Sequence, residues 1–234
     1  MSSTVPIRVG QIGCGHWARS SWLPYIDSCP DAEIAALCDL DLGRARQLNE
    51  EFYGDLPENS RPRVYDDYHT MIADESLDMV IAGTLAGARP AMTIAALEAG
   101  LPVLAAKPMA PNLADAEAML EAAEKSGALL MVGYNYRFRD DARVVHRFVS
   151  EGGVGKPLFA RAWVHSPGVP SYAPHYKRSV SGGGALASTG VHALDLAIWF
   201  LGCPRLVSVE GQASAHFGEL DSLPDELEHI RGEC

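Results

Sequence analysis

The sequence predicts an α/β protein, with a doubly wound parallel sheet in its first half and a second, smaller α/β domain whose sheet is truncated. Three observations predict it. From residue 7, short β-branched or apolar runs alternate with longer amphipathic stretches, the pattern that builds a parallel sheet covered by helices on both faces. Glycines at 13 and 15 stand where the first such run gives way to a helix. Beyond Tyr134 the style changes, and only two more strand-like runs occur before the polar, acidic segment from Glu219 to Cys234.

Ile7 to Ile12 reads as the first strand, and the helix opened by the glycines runs to about Ile26. Glu33 to Cys38 is the second strand, closed by Asp39. Leu77 to Ala82 is a later strand, Pro90 to Glu98 a helix with proline suited to its first turn, and Leu101 to Ala105 another strand. Asn112 caps the next helix, with Asp115 three residues on, and Ala116, Met119, Leu120 and Ala123 fall on its buried face. Gly127 ends that helix. Leu129 to Gly133 is a buried strand that completes a first domain over residues 1–134.

In the second domain, residues 135–234, Val144, Val145, Phe148 and Val149 mark a helix that stops at Gly152–Gly153. Leu158 to Val164 and Arg205 to Ala213 read as strands, separated by a loop from Ser166 to Gly184 and a helix. On that helix Val191, Leu194, Ile198 and Leu201 form one apolar stripe, with His192, Asp195 and Trp199 on the neighbouring one. Two strands rarely stand alone. The chain is therefore either a short protein that borrows strands from a partner or a fragment of a longer one, and homo-oligomerisation through the C-terminal sheet is expected.

With 47% hydrophobic and 21% charged residues, 234 residues can bury an ordinary core. The 30 acidic and 19 basic residues give a net charge of −11, which repels phosphate backbones and anionic lipid and argues against nucleic acid and membrane partners. No stretch approaches the roughly 18 consecutive apolar residues of a membrane span, and the N-terminus lacks the pattern of a secretory signal. The five cysteines are widely spaced without a C-x-x-C pair, so neither a disulfide framework nor a zinc site is suggested. A cytoplasmic location is expected.

Gly13-Cys14-Gly15-His16-Trp17-Ala18 has the spacing G-x-G-x-x-A between a strand and a helix. The first glycine permits the tight turn, the second lets a pyrophosphate approach the backbone, and Ala18 allows close packing of helix on strand. Asp39, at the end of the second strand, suits the two hydroxyls of an adenosine ribose. Leu40 beside it supplies no cation for a 2′-phosphate, which favours NAD, while Arg44 and Arg46 keep NADP open.

The chain resembles the Gfo/Idh/MocA oxidoreductases, named for glucose–fructose oxidoreductase and inositol dehydrogenase. The matching stretches are the glycine turn, Leu37-Cys38-Asp39-Leu40-Asp41, Ala95 to Gly100, Val103-Leu104-Ala105-Ala106-Lys107-Pro108, Val132 to Phe138, and Gly182 to Leu186 leading to Gly190-Val191-His192-Ala193-Leu194-Asp195. The resemblance implies a Rossmann domain, then an α/β domain with an open-faced sheet, and hydride exchange between a nicotinamide and a sugar, polyol or similar compound. It makes Lys107 the group that polarises the reacting oxygen. It makes His192 the general base. Lys107 is also a cofactor contact, as is Thr84, and Arg137, Tyr176 and Ser188 are candidate substrate contacts. Arg137 can instead pair with Asp140 or Asp141. A metal reading of His192 with Asp195 lacks a third ligand, and no metal is expected.

Three departures from the family pattern bear on catalysis. The glutamate of the Glu-Lys-Pro motif is Ala106, the aspartate four residues before the histidine is Ser188, and the Thr-Pro-x-x-x-His segment reads Thr84-Leu85-Ala86-Gly87-Ala88-Arg89. Two other functions remain compatible with these changes: NAD binding without turnover, as in a regulatory subunit, and a glycosidase that borrows and returns a hydride.

Overall fold

The computed structural model describes residues 5–165 and 183–212, in two compact units, Met1–Gly133 and Tyr134–Cys234. In the first unit six parallel strands, β1 (Ile7–Ile12), β2 (Ala32–Cys38), β3 (Arg63–Tyr65), β4 (Met79–Ala82), β5 (Val103–Ala105) and β6 (Leu130–Val132), lie in the order β3-β2-β1-β4-β5-β6. The order reverses direction at β1, so the loops leaving β1 and β4 diverge to opposite faces and open a crevice at the strands' C-terminal ends.

Both faces of the sheet are covered. Alternate strand residues go to opposite sides: Leu37 and Ile81 pack with Leu23, Ala45 and Leu48, whereas Cys38, Val80 and Val103 pack with Met71, Leu97 and Met119. The covering helices are α1 (Leu23–Asp27), which follows a π-helical stretch at Ala18–Trp22, then α2 (Leu42–Tyr53), α3 (Tyr68–Asp74), α4 (Arg89–Glu98) and α5 (Leu113–Ser126). Side-chain caps start three of them. Asp41, Asp67 and Asn112 each accept the backbone N–H three residues on, from Arg44, Thr70 and Asp115. Gly127, at φ 70°, terminates α5 in the left-handed conformation.

Two details depart from the expected burial. Leu120 is exposed, because the inward stripe of α5 runs through Met119 and Ala122 instead. Leu129–Gly133 yields a half-buried strand, since β6 is the edge of the sheet and has a single neighbour. Three further elements, α2, β3 and α3, complete the sheet's first half, and the strand among them is only three residues long.

In the second unit a 3-10 turn (Asn135–Phe138) leads into α6 (Asp140–Ser150), and a π-helical stretch (Leu186–Gly190) leads into α7 (Val191–Phe200). The strands expected at 158–164 and 205–213 find no partner among the described residues: residues 158–164 and 205–212 carry no strand pairing, and Leu158, Phe159, Leu206 and Val207 are exposed. A strand's backbone groups need a neighbour. No sheet is present in this unit among the described residues.

The stripe of α7 also differs from expectation. Leu194 and Ile198 are exposed, while Asp195, on the polar stripe, is buried. An ion pair reverses the usual preference, as described below.

Candidate active site

The glycine turn, Asp39, Thr84 and Lys107 follow β1, β2, β4 and β5, which are consecutive in the sheet, and so line one edge of it. Gly13 has φ 92°, and a Cβ there would stand 2.8 Å from Thr84 Cγ2 and 3.1 Å from the Gly83 carbonyl. Gly13→Ala is expected to cost about 2 kcal/mol through left-handed strain and this contact. Urea unfolding measures it, and an unchanged midpoint would contradict the geometry. Gly15 is different. A Cβ at 15 would meet nothing within 4 Å, so the space in front of the turn is open, as a pyrophosphate cradle requires.

The turn is braced from beneath by a residue the sequence reading missed. Gln11 is wholly buried, and its Nε2 donates to the carbonyls of Gly13 (2.8 Å) and Ile12 (3.1 Å). Polar strand residues at zero exposure are rare unless they satisfy backbone groups in this way. Ala18 is buried, letting the helix sit close to the sheet, while His16 and Trp17 are exposed with their rings edge-on at 5.4 Å.

Asp39 is nearly buried and pre-oriented. Its Oδ2 accepts from the Cys14 N–H at 2.8 Å, and its Oδ1 from the Asp41 N–H at 3.0 Å and Arg44 Nη1 at 3.1 Å. A carboxylate oxygen has two acceptor sites, so Oδ2 retains capacity for a ribose hydroxyl. Arg44 also reaches Asp41 at 3.5 Å, and Leu40 projects into solvent. Burial and then the Asp39 charge push the Cys14 thiol up to about 12, which keeps it protonated and unreactive. An open cradle, a helix N-terminus and a fixed carboxylate fit a dinucleotide.

Lys107 follows β5 and precedes a cis peptide bond to Pro108. The segment is tied to the sheet by Ala106 N–H donating to the Ala82 carbonyl at 3.0 Å. Lys107 is half-buried, and its pKa lies below the usual 10.5 through burial and then the charge of Arg89. Arg89, which the sequence marks only as a departure, is buried and donates to the carbonyls of Thr84 and Pro108. Thr84 Oγ1 lies 3.2 Å from Met92 Sδ.

In the second unit His192 stacks on Tyr136, ring centres 4.3 Å apart and 18° from parallel, and Tyr136 carries Arg139 over its ring. Ser188 is half-buried, one turn before His192. Arg137 does not pair with Asp140 or Asp141. It forms a bidentate pair with Asp195, Nε to Oδ2 at 2.8 Å and Nη2 to Oδ1 at 2.6 Å, and Arg139 takes Asp141 instead. The 3-10 turn presents Arg137 to α7, and no local sequence pattern announces a partner 58 residues away. Trp199 lies beneath Arg137 and stacks on His146 at 3.9 Å.

The pair fastens the loop after the first unit to the helix that carries His192. Asp195→Asn is expected to cost about 1–2 kcal/mol, less than the roughly 3–5 kcal/mol of a fully buried pair because Arg137 stays partly solvated. Urea unfolding followed by tryptophan fluorescence measures it, and an unshifted transition would contradict this role. Tyr176 lies outside the described residues. Among the described residues no cluster of three His, Cys, Asp or Glu side chains could hold a metal ion, and no helix is long and apolar enough to cross a membrane.

Residues 7–134 match the GFO/IDH/MocA oxidoreductase family model, described as an NAD-binding Rossmann fold, and residues 142–227 match the family's C-terminal domain. The chain belongs to this family. Among curated relatives of this GFO/IDH/MocA member, a D-apiose dehydrogenase of Paraburkholderia graminis is 33% identical over 94% of this chain and 57% of its own length. A D-glucoside 3-dehydrogenase of Escherichia coli is 32% identical over 91% of this chain and 59% of its own. The chain thus spans somewhat over half the length of these relatives. An Agrobacterium radiobacter oxidoreductase solved with NAD+, L-tartaric acid and magnesium superposes with a TM-score of 0.69 at 27% identity, covering 85% of this chain and 55% of that one.

Proposed function

We propose that this GFO/IDH/MocA chain acts as an NAD-dependent dehydrogenase on a hydroxyl group of a sugar, polyol or related compound. The observation that carries the reading is the alignment of four features along one sheet edge: the open glycine turn, fixed Asp39, Thr84 and half-buried Lys107. Dinucleotides bind at this edge of doubly wound sheets. Asp39 receives the ribose hydroxyls, and the turn and the following helix receive the pyrophosphate. NAD is preferred to NADP because Asp39 and exposed Leu40 offer a 2′-phosphate a carboxylate and no cation, and Arg44 is already engaged by Asp39 and Asp41.

The bound nicotinamide supplies a hydride acceptor. Lys107 donates a hydrogen bond to the substrate oxygen and stabilises the negative charge that grows there as the carbon is oxidised. His192 accepts the hydroxyl proton, its ring held flat by Tyr136. The dehydrogenase names of the curated relatives support the chemistry. A cytoplasmic location and self-assembly through the C-terminal domain belong to the same proposal.

Ala106 and Ser188 favour a second reading, NAD binding without turnover, because each removes a carboxylate beside a proposed catalytic group. A screen of sugars, polyols and glycosides for NADH absorbance separates the readings. Net NADH with a sugar or polyol supports the dehydrogenase. Bound NAD with no substrate conversion supports the regulatory form, and glycoside cleavage without net NADH supports a borrowed hydride.

A further inference from the structure

Arg89 is buried at 2% exposure and opens α4, where the helix dipole disfavours a cation. A buried guanidinium is costly unless its donors are satisfied. Here Nη2 donates to the Thr84 carbonyl and Nη1 to the Pro108 carbonyl. These acceptors belong to different loops at the crevice, one leaving β4 and the other directly following Lys107. A planar fork with a donor on each arm can span two such acceptors in a fixed geometry, which a single ammonium on a flexible stem does not.

We propose that Arg89 is a positioning residue for Lys107, its guanidinium tying the Lys107–Pro108 turn to the Thr84 loop and so holding the lysine at the end of β5. The inference rests on the role given to Lys107 above, and extends it to a residue buried at the start of α4. Its electrostatic consequence runs the same way. Arg89 is the charged neighbour that acts on the Lys107 ammonium, after burial, to loosen its proton. Residue 106, which adjoins Lys107, is an alanine and contributes no carboxylate to oppose this. An ammonium that holds its proton less tightly is a stronger donor to a developing alkoxide. Tether and charge thus come from one side chain.

The chain has four lysines, Lys107, Lys125, Lys156 and Lys177. Reductive ¹³C-methylation of the full chain therefore gives few resonances, and Lys107→Arg identifies the one from Lys107. In wild type this resonance is expected to titrate below the ordinary lysine value of 10.5. In Arg89→Met or Arg89→Gln it should move to higher pH and narrow as the side chain gains motion, with the other three unchanged. Arg89→Lys keeps the charge without the fork and adds one resonance, which the Arg89→Lys, Lys107→Arg double variant tells apart, so the Lys107 titration should stay low while its line narrows. Either neutral variant suffices if the other does not fold, and Arg89→Lys alone still tests the tether. A Lys107 resonance unchanged in both pH midpoint and width in the folded variants would overturn the proposal. These spectra need no cofactor or substrate. Absence of turnover in wild type would defeat the dehydrogenase reading and leave the Arg89 result standing on its own.

Discussion

Replacing Lys107 by methionine is expected to lower turnover by about 10²–10³-fold, equivalent to about 2.7–4 kcal/mol of transition-state stabilisation, while NAD affinity stays within a few-fold of wild type. Methionine fills much of the same volume, so the change removes the charge and the donor and leaves the packing. The interaction strengthens as the substrate oxygen becomes negative, so its loss falls on kcat more than on substrate binding. The pH dependence has a definite sign. Burial and Arg89 both disfavour the ammonium, so the Lys107 pKa lies below 10.5. The limb of activity that needs the protonated lysine is lost as pH rises through that lowered value, earlier than for a solvated lysine. Initial rates of NADH formation across pH measure both effects. A Lys107→Met chain with wild-type kcat would remove the lysine from the mechanism.

Asp39→Ala is expected to weaken NAD binding by about two orders of magnitude. A hydrogen bond to a charged acceptor contributes about 1.5–3 kcal/mol, and each 1.4 kcal/mol is tenfold in affinity. Two contributions add here: the ribose hydroxyls lose their acceptor, and the Cys14 and Asp41 N–H groups lose the carboxylate that orders the turn. Asp39→Asn separates them in part, because its amide oxygen can accept from one N–H but its NH₂ group faces another donor. Calorimetric titration of each variant with NAD measures the loss. An affinity unchanged by Asp39→Ala would place the ribose elsewhere.

The first unit was legible because its signals are local. A glycine pair between a strand and a helix, an aspartate closing the next strand, and a cap three residues from its partner each operate within a few residues, and the doubly wound order follows from repeated βα units. Asp39 was legible in particular because its role depends on the end of β2, which the apolar run Glu33 to Cys38 marks. Arg89 and Gln11 were not, since each is a polar side chain at a buried position whose acceptors are backbone carbonyls, and carbonyls carry no sequence signal. The Arg137–Asp195 pair escaped for a related reason. Nothing local distinguishes a bond across 58 residues from the nearer carboxylates at 140 and 141, and that pair also turned the polar stripe of α7 inward. Apolar alternation at 158–164 and 205–213 signalled strand character, but a strand forms only with a neighbour to bond, and no sheet receives these segments among the described residues.

Calorimetric titration of NAD into the wild-type chain tests most directly whether the crevice at the ends of β1, β2, β4 and β5 is a cofactor site. One NAD per chain, bound more tightly than NADP and weakened by Asp39→Ala, is the expected result. A chain shown to be folded by a cooperative unfolding transition that gives no heat of binding with either dinucleotide would contradict the cofactor site, and with it the dehydrogenase chemistry proposed for Lys107 and His192.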